Sequence, residues 1–562
     1  MMLKDWPHIK KLAKQEHIIE DISDWPLNKL YEKRDSFIAE IDDVSANSFS
    51  SNSTDDIKAV IERTIYQERL RMNRKSWKVD PPNEKAFWKR ITQDLEATEK
   101  LEEDEHKRQV FNELILRITN RYSEEIAGNF NIKTFLFARK FLTFFFGRLL
   151  NTAASKGIPR IFGTKHRLRE SLPISGHIKH TRALFDKGVV VLVPTHFSNL
   201  DSILIGYVLD FMVGLPAFHY GAGLNLYNAE IAAYFMNRLG AYRLDRRKKN
   251  AIYMQTLKTM SSLSIQKGVN TIFFPGGTRS RSGHLEQRLK LGLLSTCLDA
   301  QRNLLEKGSD QKVFIVPVVL NYHFVLEAKY LIDEHLRRKG KEKYIRGTDN
   351  SNSWSNKVSF IYKLFATDSE ILTSFGQPTD VFGNEVNMAG ESLDKNGNRL
   401  DIKEYFMRDG EIVNDEQREF IYTQFLGEKI TESYKQSKVV LSSELVSFVG
   451  FRLLRQMNAN LDLFSIFRAP TDDFKVPWSR FMMSFKEVYD QVIDLAKNGK
   501  IQVQEEFSNE LESIAREGFR MLGSYHADKP LFLKKDYIYS DDFKLLYYYH
   551  NRLDIYGFEL SE

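Results

Sequence analysis

Cysteine is almost absent from this chain of 562 residues, which contains only Cys297. A single cysteine cannot form a disulfide within the chain or a cysteine-ligated metal cluster, so disulfide-stabilised domains and cysteine-based zinc modules are excluded. This usage favours a reducing compartment. Cys297 lies in an apolar, helix-like stretch (LGLLSTCLDAQ), and we interpret it as a buried core residue.

Long apolar runs are also lacking. A membrane-spanning helix needs about 18 to 20 apolar residues, and the nearest candidate, residues 134–154, is interrupted by Arg139, Lys140 and Arg148. It is therefore predicted not to span a membrane. On a helix, one polar stripe would comprise Arg139, Thr143, Gly147 and Asn151. With phenylalanine and leucine opposite, such a helix either lies in the lipid headgroup region or packs in a core with one solvated edge.

Two functional motifs are missing as well. The sequence has no GxxxxGK[ST] motif, which excludes a P-loop nucleotide site. It has no GxSxG motif, which disfavours a serine-nucleophile hydrolase, although Ser198 and Ser202 flank a candidate histidine. The first sixteen residues carry charges throughout, so no secretory signal is predicted. The small basic excess, a net charge of +6, is compatible with phosphorylated substrates, an anionic membrane or a solvated face.

The distribution of apolar residues divides the chain into three predicted regions. Residues 1–150 read as helices, interrupted by a polar loop at 45–56, and residues 386–562 read as a second helical region. Between them, continuous β-branched runs alternate with helical patterns, which is typical of strands buried on both faces. These runs are residues 189–194, 271–275, 313–320 and 370–378. The sequence therefore predicts an α/β domain at 151–385, with a mostly parallel sheet wrapped by helices.

Two smaller features accompany this pattern. The roughly 45 residues before residue 370 are rich in Lys, Asn and Ser and are interpreted as an insertion. Residues 392–401 (SLDKNGNRLD) are predicted to form a turn that closes a hairpin, because their acidic residues do not have calcium-loop spacing.

A candidate catalytic pair follows the first of these strands. His196 comes directly after the strand, where functional groups of open α/β sheets gather, and Asp201 follows five residues later at the start of a predicted helix. A turn between them would fold the carboxylate onto the imidazole and leave the other ring nitrogen free to accept a proton. A structural histidine is the alternative reading.

A candidate phosphate site follows the second strand, in TIFFPGGTRSRSG. Gly276 and Gly277 allow a tight turn that exposes backbone amides, and guanidinium groups bind phosphate in bidentate fashion. Further cations occur in LGAYRLDRRKK and at the start of the next predicted helix. The predicted phosphate-binding residues are Arg246, Gly277, Thr278, Arg279, Ser280, Arg281 and Lys290, and Arg243 and Arg247 are weaker candidates. A basic surface loop is the alternative.

Together these motifs resemble the phospholipid and glycerol acyltransferase family. HFSNLD is similar to its HxxxxD signature, GAYRLDR to its second block, FPGGTRSRSG to its third and IVPVVL to its fourth. The fourth block is built around Pro317, for which the resemblance implies an acyl-donor or structural role. The blocks occur in the family's order within residues 185–380. Thr195 replaces the usual Asn or small polar residue before the histidine. Gly276 replaces the glutamate of the third block, so another group must act here if that carboxylate orients the arginine or the acceptor.

The resemblance implies an acyltransferase fold and an enzyme of phospholipid synthesis. His196 would act as general base, and a fatty acyl group would move from an acyl-CoA or acyl carrier protein thioester to a hydroxyl of glycerol 3-phosphate. The 1-acyl form of glycerol 3-phosphate is the alternative acceptor, and an inactive membrane-docking protein of the same fold is a further alternative. No metal, bound cofactor or nucleic acid is expected. A peripheral position on the cytoplasmic side of a membrane is expected instead.

Overall fold

The computed structural model describes residues 9, 11–74, 79–153, 172–224, 227, 230–323, 325–338, 370–523 and 526–561, without the side chains of 100, 145–153 and 230–232. The N-terminal region is helical, as predicted. Its helices α1 to α6 span Pro26–Glu32, Arg34–Asn47, Thr54–Asn73, Glu84–Ala97, Asp104–Ile126 and Ile132–Ala153. The predicted loop at 45–56 is shorter than expected, because Ser53 caps α3 by accepting a hydrogen bond from the Asp56 N–H.

A seven-stranded sheet forms the centre of the molecule. Strands β1 to β7 span Ile174–Gly176, Gly188–Pro194, His219–Gly223, Ala241–Leu244, Thr271–Ile272, Lys312–Tyr322 and Ile371–Phe375. Their order is β1-β7-β6-β2-β5-β3-β4, and only the β6–β7 pairing is antiparallel. The predicted α/β fold with a mostly parallel sheet and helical flanks is therefore confirmed.

The predicted strands match the observed ones with two differences in length. β6 continues to Tyr322, whereas β5 ends at Ile272, earlier than the predicted strand at 271–275. β5 is short because after Ile272 the chain leaves the sheet and enters the loop that contains Gly276, Gly277 and Arg279. The predicted strand at 370–378 is β7 of the same sheet. The predicted insertion before it lies mostly outside the described residues.

Helices pack on both faces of this sheet. Helices α7 to α12 span Ile178–Ala183, Asp201–Val208, Glu230–Met236, Ala251–Gln266, Leu291–Glu306 and Ala328–Arg338. The N-terminal helices α2, α3 and α5 pack against α10, where buried residues such as Ile118 and Ile252 form a shared cluster. Burying each such side chain contributes about 1.5 to 3 kcal/mol. Cys297 is fully buried on α11, as predicted.

The C-terminal region is helical with short strands. Helices α13 to α18 span Glu416–Ser437, Ser442–Met457, Leu463–Ile466, Trp478–Lys497, Leu511–Met521 and Phe543–His550. Strands β8 to β16 span Ser392–Leu393, Arg399–Leu400, Met407–Arg408, Glu411–Ile412, Val439–Val440, Val476–Pro477, Gln502–Val503, Phe532–Lys534 and Tyr537–Tyr539. The predicted hairpin turn is present, because β8 and β9 pair antiparallel.

The C-terminal region shares its core with the sheet. One hydrophobic cluster runs from Leu172 to Phe558. A buried ion pair reinforces the junction, because the ammonium of Lys438 contacts both the Glu444 carboxylate at 2.7 Å and the side-chain oxygen of Asn321, on β6, at 3.2 Å. The predicted boundary near residue 385 therefore does not divide the apolar core, and the domain limits stay predictions.

Within the described residues, no helix combines the length and the apolar character needed to cross a membrane.

Candidate active site

Two loops meet where neighbouring parallel strands end. β2 pairs with β5 through Val191 with Thr271 and Leu192 with Ile272. Because parallel strands present their carboxyl ends at one edge, the turn after β2 and the loop after β5 lie side by side. We call residues 195–201 the histidine turn and residues 274–290 the arginine loop.

The histidine turn brings His196 and Asp201 into contact. The Nδ1 of His196 lies 2.8 Å from Oδ2 of Asp201, which also accepts hydrogen bonds from the backbone N–H groups of Phe197 and Ser198. Asp201 is fully buried at the start of α8, while the His196 side chain remains 17% exposed. A carboxylate beside Nδ1 fixes the proton there, so Nε2 is the ring nitrogen that can accept one.

A tyrosine completes the surroundings of Asp201. The hydroxyl of Tyr322, at the end of β6, donates to Oδ1 of Asp201 at 2.6 Å. Burial, and then the Asp201 carboxylate, hold the pKa of Tyr322 well above its ordinary value, so the phenol keeps the proton that it donates. Both oxygens of the carboxylate are therefore engaged, which fixes its orientation toward the imidazole.

The arginine loop holds the backbone of His196 from both sides. The His196 carbonyl accepts a hydrogen bond from the Ser280 N–H at 2.8 Å, and the His196 N–H donates to Oε1 of Glu286 at 2.8 Å. Burial, together with repulsion from Asp201, raises the pKa of Glu286 to about 8. The imidazole itself packs on Phe274, with ring centroids 4.4 Å apart.

One cavity of about 590 Å³ joins His196 to the arginine loop. Its wall also carries cations from several chain segments: Arg246, Lys249, Lys258, Arg279, Arg281 and Lys290. Asp245 and Glu334 line it as well, and they form ion pairs with Arg247 at 2.8 Å and Arg281 at 3.0 Å. The imidazole and this cationic wall therefore open onto the same space, which suits an anionic ligand.

The three arginines after β4 have different surroundings. Arg243 donates to the side-chain oxygen of Asn237, and Arg247 is paired with Asp80 and Asp245. Arg246 is exposed to the cavity, and partial desolvation with repulsion from Arg281 and Arg279 lowers the pKa of its guanidinium. A cluster of like charges is destabilised until an anion binds it, so Arg246 is the member of the three that fits the predicted phosphate role.

Most of the predicted phosphate-binding residues lie together on the cavity wall. Gly277 and Thr278 line it next to Arg279 and Arg281. Gly277 has a positive φ of 72°, and a Cβ there would approach Cγ of Lys290 to 2.9 Å, so glycine is required. Lys290 precedes the first residue of α11, as predicted, and its side chain is exposed.

Two predicted residues take other positions. Ser280 serves the backbone, because its N–H donates to the His196 carbonyl and its hydroxyl to the His284 carbonyl at 2.7 Å. Pro317 lies buried within β6 opposite Val193, and its carbonyl accepts from the Gly376 N–H. The roles predicted for both residues stay predictions, with a structural role for Pro317 favoured by its place in the sheet.

The structure adds residues that the sequence analysis missed. Glu327, after the end of β6, accepts hydrogen bonds from the Ser198 hydroxyl and the Asn199 N–H and lies 3.4 Å from Arg279. Glu327 follows the end of a strand, as His196 does, so the same reasoning from the sequence could have identified it as a candidate. Glu286 has no such signal, because only the folded loop brings it to His196.

The C-terminal region also reaches this site. The side-chain amide of Asn551 donates to the Ser282 carbonyl at 2.8 Å, and the guanidinium of Arg552 hydrogen-bonds the Tyr322 carbonyl. A Cβ at Gly283 would collide with the carbonyl oxygen of Tyr548. The arginine loop therefore rests directly on the end of α18.

A second cavity of about 500 Å³ lies beside the first, between α6 and α8. Its wall is mostly apolar and includes Phe137, Phe141, Ile203 and Tyr207. Ser202 and Phe274 line both cavities, so the two spaces adjoin near His196.

Helix α6 has an orientation that the sequence pattern did not predict. Arg139 forms an ion pair with Asp210, and the Thr143 hydroxyl lies 3.1 Å from that of Tyr207, so this part of the polar stripe faces the protein. Phe137 and Phe144 are 58% and 65% exposed. The solvated polar edge expected of a core helix is therefore not observed at Arg139 and Thr143, because protein partners take this side and leave aromatic residues outside. Placement of the helix in the lipid headgroup region stays a prediction.

Comparison with known proteins agrees with this geometry. Residues 172–321 match the Acyltransferase family model. This segment is an acyltransferase domain. The family resemblance predicted from the motifs is thereby confirmed, and the matched segment contains the histidine turn, the arginine loop, β2 to β5 and β6 as far as Asn321.

Several curated relatives carry the name glycerol-3-phosphate acyltransferase. The chain is 27% identical to that of Aeromonas hydrophila over 47% of its own length, 26% identical to that of Shewanella frigidimarina over 55%, and 28% identical to that of Pseudomonas fluorescens over 49%. These alignments cover 30%, 33% and 28% of the respective relatives. The chain thus matches about a third of their length.

The Asp201→Asn substitution tests the pairing in the histidine turn. The asparagine oxygen can still accept from Nδ1, and its amide can donate to the Tyr322 oxygen, so the fold should hold while the negative charge is lost. With His196 as the predicted general base of acyl transfer, kcat should fall about 10²-fold or more, because the charged imidazole would no longer be stabilised. Thermal unfolding should change little. Asp490→Asn, on the exposed face of α16, is the matched control, and an unchanged kcat in Asp201→Asn would contradict this role.

Proposed function

We propose that the protein transfers a fatty acyl group from an acyl thioester to a hydroxyl of glycerol 3-phosphate, with His196 as general base. The observation that carries this proposal is the shared cavity, in which an imidazole paired with a buried carboxylate faces a wall of arginine and lysine side chains. The relatives' names support the same reaction and the same acceptor.

The proposed chemical step needs no protein nucleophile, because a thioester is already activated. Nε2 of His196 takes the proton of the acceptor hydroxyl while its oxygen attacks the thioester carbonyl carbon. The tetrahedral intermediate then collapses, the carbon–sulfur bond breaks, and the leaving thiolate takes the proton from the imidazolium. The products are an ester and a free thiol. General-base assistance of this kind contributes about 10² to 10⁴ in rate.

The cationic wall is proposed to hold the acceptor. A phosphate monoester carries about −1.5 to −2 charges at neutral pH, and its burial without partners would be strongly unfavourable. Arg246, Arg279 and Lys290 supply the compensating charge. Binding the phosphate also positions the hydroxyl beside Nε2, which lowers the barrier by removing orientational freedom.

The apolar cavity is proposed to hold the acyl chain. It adjoins the site near His196 through Ser202 and Phe274, and its aromatic wall would exclude water from a hydrocarbon chain. The apolar cavity that the described residues form beside the cationic wall fits one acyl chain next to a small polar acceptor. This favours glycerol 3-phosphate over its 1-acyl form, which would bring a second chain into the site.

An acceptor assay tests the proposal. Purified protein is incubated with palmitoyl-CoA, and separately with palmitoyl–acyl carrier protein, and with either glycerol 3-phosphate or 1-acylglycerol 3-phosphate. We expect a monoacyl product from glycerol 3-phosphate, identified by mass spectrometry, with release of one thiol. Product from the 1-acyl acceptor alone would show that 1-acylglycerol 3-phosphate, the alternative acceptor, is the substrate. Folded protein that forms no product with any pair would overturn the proposal and favour a docking protein without activity.

The Arg279→Ala substitution tests the phosphate site. Loss of one charge-assisted interaction removes about 1.5 to 3 kcal/mol of binding, so the KM for glycerol 3-phosphate should rise about 10- to 100-fold while the KM for the thioester changes little. Steady-state kinetics in both substrates measures this split. Arg288→Ala is the control, because Arg288 is an exposed arginine of the same loop. A rise in the thioester KM alone would assign Arg279 to the donor.

We further propose that the protein binds the cytoplasmic side of a membrane peripherally, through α6. Exposed aromatic residues on this helix lie next to the exposed lysines 133 and 140, and an acidic lipid surface attracts such lysines by about 1 kcal/mol each. The apolar cavity borders the same helix, so an acyl chain could pass between the lipid and the site.

Flotation with phosphatidylglycerol-containing vesicles tests this docking. Phe144 is 65% exposed and lies on α6, and Phe144→Asp should lower the bound fraction several-fold because a charge replaces an inserted ring. Phe425→Asp, at a phenylalanine on α13 that is 54% exposed, is the matched control and should bind as the wild type does. Equal binding by both variants would contradict docking through α6.

A further inference from the structure

Glu286 contacts the backbone of the residue proposed as general base. Its Oε1 accepts a hydrogen bond from the His196 N–H at 2.8 Å, while the His196 carbonyl is held by Ser280 of the same loop. The peptide groups on both sides of His196 are thus fixed by one segment. A shift of either bond would move the imidazole relative to the cavity.

The same carboxylate fills the space beside Gly276. A Cβ built on Gly276 would lie 3.0 Å from Cγ and 3.2 Å from Oε1 of Glu286. Gly276 does not have a positive φ, unlike Gly277, so its backbone conformation does not itself require glycine. A side chain at 276 would therefore compete with Glu286 for the same space.

We propose that Glu286 is a positioning residue for His196 and supplies from position 286 the carboxyl group that position 276 lacks. This inference rests on the proposed function, because it assigns Glu286 to the base of that reaction. The arginine loop resembles the third block of the family except at position 276, where glycine replaces the family's glutamate. Glu286 is the acidic residue whose position could compensate for this replacement. Glu286 acts through the His196 peptide and is not assigned a contact with substrate.

The energetics of Glu286 favour a functional role. Burial raises the pKa of its carboxyl group, which shows that the protein environment disfavours its charge. Its second oxygen, Oε2, is buried and has no hydrogen-bond partner among the described residues. An incompletely paired buried carboxyl group is unfavourable for folding. The hydrogen bond that this side chain makes to another described residue is the one that it accepts from the His196 N–H, which favours a role in orienting that peptide.

Exchanging the carboxylate between the two positions tests the inference. We expect Glu286→Ala to lower kcat about 10-fold or more, with little change in the KM for glycerol 3-phosphate. Gly276→Glu alone should also be slow, since two carboxyl groups then compete for one space. The double variant Gly276→Glu/Glu286→Ala should be faster than either single variant, because one carboxylate again reaches the His196 N–H. A purely structural role for Glu286 would not produce this rescue.

Controls separate folding from positioning. Gln287→Ala, at the exposed neighbouring residue, should match the wild type. Glu286→Gln keeps an acceptor oxygen and should keep most of kcat. If Glu286→Ala or the double variant does not fold, Glu286→Gln is compared with Glu286→Met, which has a similar size but no acceptor oxygen. Retained kcat in the first with a lowered kcat in the second supports the inference, and equal kcat in the two folded variants overturns it.

Two results would overturn the inference while leaving the proposed function intact: a wild-type kcat in Glu286→Ala, or a double variant no faster than Glu286→Ala. Inactivity of the wild type with every donor and acceptor would overturn the proposed function instead. In that case the NMR signal of the His196 ring proton at Nδ1 replaces the kinetic readout. It should shift in Glu286→Ala and return toward the wild-type position in the double variant, and no shift in either would reject the positioning role.

Discussion

The short parallel pairing between β2 and β5 is the contact on which the site depends. Only two residue pairs form this ladder, yet it places the histidine turn and the arginine loop, about 80 residues apart in the chain, at one edge of the sheet. The His196 backbone then continues the contact beyond the strands, because its carbonyl accepts a hydrogen bond from the Ser280 N–H and its N–H donates to Glu286. The geometry of the candidate site is thus an extension of sheet pairing, and strands position it better than free loops could.

Acidic and basic side chains are partly separated within this arrangement. Asp201, Glu286 and Glu327 contact the histidine turn from within the protein, whereas the cavity wall carries more arginines and lysines than carboxylates. The acidic groups orient backbone amides and the imidazole, and the excess of cations favours an anion in the cavity. In the proposed reaction, such an arrangement is formed before substrate binds, so little reorganisation is needed when charge develops.

The sequence was sufficient to predict features that depend on local chemistry. The strands, the start of α8 at Asp201 and the cationic character of the arginine loop follow from patterns within a few residues. Glu286, Tyr322 and Arg552 could not be predicted, because each acts through a tertiary contact with no local signature. The direction in which the polar stripe of α6 faces could not be predicted for a related reason. Arg139 pairs with Asp210, a buried residue that lies 71 positions later in the chain. Charged residues on an amphipathic helix indicate a solvent-exposed face only when no buried residue of opposite charge pairs with them.

The close packing of α18 against the arginine loop bears on how this protein could be modified in the laboratory. A recombinant fragment limited to the central sheet would lose the carbonyl of Tyr548 beside Gly283 and the amide of Asn551 that holds Ser282. It would also uncover apolar side chains that are now fully enclosed, among them Tyr549 and Leu546. Swapping the central segment into another scaffold would therefore require the terminal helix to travel with it.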